Sequence, residues 1–474
     1  MGRARRRAKK GAKVQADFWR DSNPRRPLVS LVDHGAPRTV TYKQLGHGSA
    51  NGWAGAFLDA NRPALERLGI EARPRIDHRG EVIRLRPSSV LGAAPLLNPA
   101  SRKVVAGVLV APRFGWTSVG RVLGDVGFGV EPGVIDGPLV PGSAQEVPPW
   151  VLAGPVLARI ERLLKELTRG FALTHGEWTS PRGTVDWGRY ARRNVPRGRW
   201  TRFPGAWPEL QEDPWLVAAV RWTVRRVLHD LERSGADSLG IRLLTLARQL
   251  EGQLGPGPTV RPTADALARF DRGFDAAALL QGLEAMQWIA DERGLGGRRS
   301  LDGLSWRLPS EELWEVWVAH LARVLGRRIG ARVLPQGEIR RPLSWSASPR
   351  SLSHLAPDAG LELGTHTVWL DAKYKRHVQE LRHRSWRDAS ERLRDAHRAD
   401  VHQALAYTAI SRTPSVTTAL VYPVSSDEEP VVSVAHVPAG ERRVRLVLAG
   451  IPFGFRTPAE EARALGALEA VVRG

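Results

Sequence analysis

The sequence of 474 residues contains no cysteine. That excludes disulfide frameworks, cysteine-ligated zinc, iron–sulfur clusters and thiol nucleophiles. A chain this long needs none of them, because ordinary cores bury most of its unfolded surface. Long apolar runs are missing as well, and none approaches the roughly 18–20 residues that a membrane span requires. The charged stretch Met1–Lys13 is not followed by the apolar core of a signal peptide. The chain therefore reads as soluble and cytoplasmic, with no membrane partner. Neither a His-Glu-X-X-His zinc site nor a Gly-X-Ser-X-Gly nucleophile elbow occurs. Acidic residues are scarce: 49 Asp plus Glu face 70 Lys plus Arg, a formal charge of +21. Such a balance on a folded protein points to a polyanion, most often nucleic acid. Arginine-rich codon usage accounts for part of the basic count, but not for the shortage of acids.

Length suggests two to four domains of roughly 100–200 residues. Residues 1–26 form a basic arm, expected to be disordered, that either adds phosphate contacts or is a solvated tail. From 27 to 142, short alternating runs such as Leu28–Val32, Val82–Leu85 and Val104–Val110 are cut by Gly and Pro. They predict a β-rich N-terminal domain with occasional helices such as Thr117–Val126. Gly129–Pro149 reads as a linker. Residues 150–293 are mainly helical, with Leu216, Val220, Val224, Val227, Leu228 and Leu231 on one face. Inside this middle domain, Pro181–Pro208 is irregular and, with Trp178 just before it, sets Trp187, Trp200 and Trp207 among seven arginines. Those side chains either meet a nucleic acid or, the reading preferred here, pack against the helices while the arginines snorkel. After a second linker, Gly294–Gly303, a helix–strand alternation marks an α/β domain over 304–474. The expected class is thus a multidomain α+β protein.

The chemistry concentrates in that last domain. Pro357–Gly364 and Thr367–Lys375 are two strands around a Gly-bearing turn, so they predict a β-hairpin. Alternation puts Asp371 and Lys373 on one face. An antiparallel register about Gly364–His366 sets Asp358 nearly opposite Asp371. Two carboxylates and an ammonium suit metal-assisted hydrolysis: the carboxylates hold a hard divalent ion, Mg²⁺ by preference with Mn²⁺ substituting, and the lysine positions water or offsets developing charge. The alternative is an ordinary ion pair at a strand end. Ser310 is expected to cap a helix over Glu311–Leu325 that brings Glu315 near the hairpin. Asp400–Ile410 reads as another helix, with Gln403 and Tyr407 four apart on one face. Strands over Val416–Tyr422, Val431–Val437 and Arg443–Leu448 follow. His366, His377, His383, His397 and His402 surround the motifs without ligand spacing and are expected at the surface or facing DNA. The Arg-rich run Tyr374–Asp400 reads equally as a DNA contact or a solvated helix.

The ordered pattern Glu315, Asp358, Asp371-X-Lys373, Gln403-X-X-X-Tyr407 resembles the PD-(D/E)XK nuclease superfamily, which implies a mixed central sheet between helices. More narrowly, "LWEVWV", "APDAGLEL", "VWLDAKYK" and "DVHQALAYT" are similar to McrC, the nuclease subunit of McrBC-type modification-dependent restriction systems. The resemblance is tight over 313–407 and loose from about 100. It implies a Mg²⁺-dependent DNA endonuclease subunit of a restriction or anti-phage defence system, acting with an AAA+ NTPase partner of the McrB kind. It also implies that Asp358 and Asp371 are metal ligands with Glu315 as a third, direct or through water, that Lys373 is the water-positioning group, and that Gln403 and Tyr407 support the site or touch the DNA backbone. The β-rich N-terminal domain would meet the partner. No Gly-X-X-X-X-Gly-Lys-Ser/Thr loop is present, as expected of a subunit that relies on another chain for its motor. Two rivals stay open: an inactive nuclease-like module that bridges DNA to an NTPase, and a basic RNA-binding protein.

Overall fold

A computed structural model describes residues 27–45, 52–78, 80–127, 130, 132–141, 147–148, 150–166, 170–181, 183–211, 213–234, 238–270, 277–290, 303–343, 346, 353–376 and 391–473. The basic arm at 1–26 and nearly all of the expected linker Gly294–Gly303 lie outside them, whereas most of the expected linker Gly129–Pro149 is described and holds a strand over Gly133–Val140. The chain divides into two compact units. One comprises Met1–Val151, Asp237–Leu239 and Gly296–Gly474, the other Leu152–Ala236 and Gly240–Leu295. It is a multidomain α+β protein with mixed sheets. Among the described residues, no helix is long and apolar enough to cross a membrane.

The first unit begins with β1 (Leu28–Val32), β2 (Arg38–Thr41), α1 (Trp53–Arg67), β3 (Ile70–Asp77), β4 (Gly80–Pro87), β5 (Val90–Leu97), β6 (Val104–Ala111), α2 (Gly115–Asp125) and β7 (Gly133–Val140). β2, β4 and β3 form a small antiparallel sheet. α1 lies on it with Trp53, Phe57 and Leu65 buried beside Ile83 and Leu85. The larger sheet runs β1-β6-β5-β11-β7. Its fourth member is β11 (Gly303–Pro309), which pairs with both β5 and β7. A boundary at 304 therefore has to be corrected, because the strand assigned to the start of the last domain completes the sheet of the first. Alternation in GLSWRLP marks a strand, but strand partners are set by non-local packing that periodicity does not carry.

The C-terminal part of this unit has α7 (Ser310–Ile329), β12 (Arg332–Val333), a short β13–β14 pair (Arg341–Pro342, His354–Leu355), β15 (Ala359–Leu363), β16 (His366–Ala372), α8 (Glu391–Thr408), β17 (Ser415–Val424), β18 (Val431–Ala439), β19 (Arg442–Pro452) and α9 (Pro458–Arg473). Its sheet order is β12-β15-β16-β17-β19-β18, with β16, β17 and β19 parallel and the rest antiparallel. β17 is buried along nearly its whole length, as a strand covered on both faces must be. α8 packs on one face through Ala404 and Tyr407, against Leu420, Tyr422 and Trp369. α7 and α9 touch each other and pack on the other face. Ser310 does not cap α7: the N-cap position is Pro309, with no side-chain bond, and Ser310 is the first helical residue. α8 starts nine residues before the expected Asp400.

The second unit holds most of α3 (Trp150–Glu166) and of α5 (Ser238–Leu254), together with α4 (Pro214–Ser234) and α6 (Ala277–Ala290). It also carries an antiparallel sheet, β8-β10-β9, from Gly170–Trp178, Phe203–Gln211 and Thr184–Val185. "Mainly helical" thus understates this unit, and Pro181–Pro208 is part sheet. Gly and Pro punctuation there hides the alternation by which a strand is recognised.

Candidate active site

The hairpin β15–β16 has the expected register, Ala359 opposite Leu370 through Leu363 opposite His366, turning at Gly364 with φ of 59°. The Asp358 amide donates to the Leu370 carbonyl at 3.0 Å, which carries the ladder one residue further and sets Asp358 beside Asp371. The Ala372 amide donates to Asp358 Oδ2 at 2.6 Å. Past the end of β16, the Lys373 amide still bonds the Val421 carbonyl of β17 at 2.8 Å. That bond fixes the direction of the lysine.

Strand alternation sends Asp371 and Lys373 toward α8, where Gln403 and Tyr407 share a face. Four side chains form a closed chain of contacts. Lys373 Nζ lies 2.7 Å from Asp371 Oδ2 and donates to Gln403 Oε1 at 3.0 Å. Gln403 Nε2 donates to the Tyr407 hydroxyl at 2.7 Å, and that hydroxyl donates to Asp371 Oδ1 at 3.2 Å. Burial pushes the Tyr407 phenol up, with Asp371 adding to it, so it remains a donor. Asp371 is buried, and burial raises its pKa while Lys373 pulls it down. Asp358 is pushed up to about 7, by burial first and then by the Asp371 charge. Glu315 stands apart. It comes from the helix on the other face and makes no hydrogen bond or ion pair among the described residues. It is near enough for its charge to reach Asp358, Asp371 and Lys373. Its own pKa is raised by partial loss of solvent and by Glu311 and Glu312.

Of the six expected residues, Asp371, Lys373, Gln403 and Tyr407 meet directly, Asp358 adjoins them, and Glu315 stays at the rim. The donor chemistry suits a hard divalent cation, since crowded carboxylates with raised pKa values gain most from one. Buried Asp371 Oδ2 meets the Lys373 ammonium at 2.7 Å and, as a carboxylate oxygen, still has a lone pair to offer a metal. Among the described residues, however, no three His, Asp or Glu side chains converge closely enough to hold an ion. The fit therefore rests on the Asp358–Asp371 pair.

Several contributors were not anticipated. Asp33, in the loop after β1, is buried and accepts the Tyr374 hydroxyl at 2.7 Å and the Arg113 amide at 2.5 Å. The Arg113 guanidinium sits 4.6 Å from the Phe114 ring centre and 4.5 Å from that of Tyr374. Arg376 donates to the His34 carbonyl at 3.0 Å. Together these clamp the chain just beyond Lys373 onto the first sheet. Lys375, half-buried, pairs with buried Asp400 at 2.6 Å, so its charge is already engaged within the fold. His397 is buried too, against the expectation of a surface histidine. His366 lies at the far end of β16, bonded to Ser415 and Thr417, while His402 is exposed. His377, His383, Arg382, Arg384 and Arg387 lie outside the described residues.

No family model matches the chain. No curated protein matches it. Among solved structures, two show a weak likeness to the chain. One is a chain from the refined half-complex of a tetradecameric assembly of Thermococcus gammatolerans McrB AAA+ hexamers with bound McrC. It is 15% identical with a TM-score of 0.44, over 94% of this chain and 100% of that one. The other is from the cryo-EM structure of the Thermococcus gammatolerans McrBC complex. It is 16% identical with a TM-score of 0.27, over 64% of this chain and 88% of that one.

Proposed function

We propose that this chain is a divalent-metal-dependent DNA endonuclease, the cutting subunit of a McrBC-like restriction or defence system that works with an AAA+ NTPase partner. The observation that carries the reading is the convergence of Asp358, Asp371, Lys373, Gln403 and Tyr407 from one hairpin and one helix. Nothing in the packing of a sheet requires two adjoining carboxylates and a lysine at the end of a buried strand, and their burial is costly.

Asp358 and Asp371 would hold the cation, Mg²⁺ or Mn²⁺, with Glu315 joining directly or through water. A bound metal of this kind stabilises charge on the phosphate and lowers the pKa of water. The protein's own part is positional. Gln403 and Asp371 hold the Lys373 ammonium between them, aimed where charge develops on the phosphate or where the attacking water sits. Tyr407 holds Asp371 with a hydroxyl that stays protonated. The partner assignment rests on the sequence motifs and on the lack of a P-loop in the chain.

Plasmid cleavage in Mg²⁺ or Mn²⁺ tests this, with wild type set against Asp371→Ala and Lys373→Ala, alone and with the NTPase that copurifies. Metal-dependent nicking lost in both variants is expected. Cleavage that survives Asp371→Ala, or DNA binding with no cleavage in any condition, would sink the nuclease reading and favour the bridging module.

A further inference from the structure

The excursion Thr184–Phe203 between β9 and β10 has an unusual surface. It carries Arg189, Arg192, Arg193, Arg197, Arg199 and Arg202, all exposed, against one acid, Asp186. Asp186 is spent locally, accepting the Arg189 amide at 2.8 Å. Arg193, Arg197, Arg199 and Arg202 make no side-chain hydrogen bond or ion pair among the described residues. Trp187 is 60% exposed and Trp200 66% exposed, which overturns the expectation that they pack inward.

The segment is nevertheless well built. Tyr190–Asn194 wind as a π-turn and Val195–Arg197 as a 3₁₀ turn, and π-turns concentrate at functional sites. Buried Asn194 donates to the Arg202 carbonyl at 2.6 Å, and the Tyr190 hydroxyl donates to that of Trp200 at 2.8 Å. Tyr190 stacks on Phe203 at 5.1 Å, and Trp187 meets both edge-on. Internal bonds thus fix a frame whose largest apolar side chains and unpaired cations face water.

A hydrophobic partner would not need six arginines, and phosphate contact alone would not need tryptophans. A duplex hides its base faces in the stack, whereas a single strand offers both π-faces and phosphates. We infer that Trp187, Trp200 and the arginines of this excursion bind single-stranded DNA, the indoles stacking on bases and the guanidiniums following the backbone. The choice of DNA rests on the endonuclease reading; the stacking surface does not.

The test is fluorescence anisotropy with the full chain in EDTA at several salt concentrations. The probes are a labelled oligodeoxynucleotide, its abasic counterpart, the matching duplex and the same sequence as RNA. Trp187→Ala with Trp200→Ala should weaken the single strand by at least about tenfold and leave the abasic strand unchanged. Trp200→Phe, which keeps a stacking face, should restore most of the loss caused by Trp200→Ala. Arg197→Gln with Arg199→Gln should weaken both strands and lower the salt slope by about 1.4. Single-strand affinity untouched by the tryptophan changes would overturn the inference. So would an equal loss on the duplex, tighter binding of the RNA, or intact DNA binding with loss of a copurifying protein instead. Because EDTA abolishes cleavage, failure here is distinct from failure of the nuclease reading, which Asp371→Ala probes separately.

Discussion

Tyr374→Phe removes a single hydroxyl from the clamp beyond Lys373 and keeps the ring. The ring contacts with Phe114 at 6.2 Å, Phe453 at 5.9 Å and the Arg113 guanidinium all survive. What is lost is the 2.7 Å bond to Asp33 Oδ2. Both partners are buried, Tyr374 at 3% exposure and Asp33 at 0%, so water cannot replace it. A hydrogen bond to a charged group contributes about 1.5–3 kcal/mol, and the burial places this one toward the upper end. The Tyr374 phenol is pushed well above its ordinary range, by burial first and by the Asp33 charge next. It therefore donates at every pH the protein survives. Urea unfolding of wild type, Tyr374→Phe, Asp33→Asn and the double variant at neutral pH measures the pair directly. A coupling free energy of about 1–3 kcal/mol is expected, and the cycle cancels changes that either substitution makes elsewhere. Coupling under about 0.5 kcal/mol would refute the clamp.

Burial raises the Asp33 pKa more than the Arg113 charge and the Tyr374 bond lower it. A raised folded-state pKa means its stabilisation is complete below the ordinary carboxylate value and is lost as pH rises through the folded value. Arg113, Arg376 and Tyr374 face it, and His34 adjoins it. The stability of Asp33→Asn relative to wild type should therefore climb as pH rises from about 4, and a flat difference in thermal midpoint would contradict this. Gly92 has φ of 151°, and a Cβ there would meet the Trp306 carbonyl oxygen at 2.2 Å. Gly92→Ala should cost at least about 1–3 kcal/mol from strain alone, read as a lowered urea midpoint. Arg332 pairs with Glu338 and Glu362 at the surface. Arg332→Ala should leave the melting temperature close to that of wild type, because exposed ion pairs contribute little, and a clear drop would show the network to matter. Gln403→Ala frees the Lys373 ammonium from one of its two holders, and plasmid cleavage should fall while DNA affinity stays within about twofold; an unchanged rate would remove Gln403 from the site.

Part of this was written into short stretches of sequence. A period of two with a glycine turn is enough to oppose Asp358 to Asp371. Spacing of four on a helix is enough to ally Gln403 with Tyr407. Such relations are local, and a few residues of backbone geometry carry them. The charge excess and the missing cysteines follow from composition and need no fold. Folding in three dimensions decided the rest. Tyr374 and Asp33 are 341 residues apart, and β11 finds its partners across the chain in β5 and β7. No periodicity encodes those pairings, because they depend on which apolar faces remain to be covered once the local elements exist. The orientation of Trp187 and Trp200 belongs to the same class. An indole packs inward or faces water according to the neighbours available to it, and here a frame of internal bonds leaves those two outside.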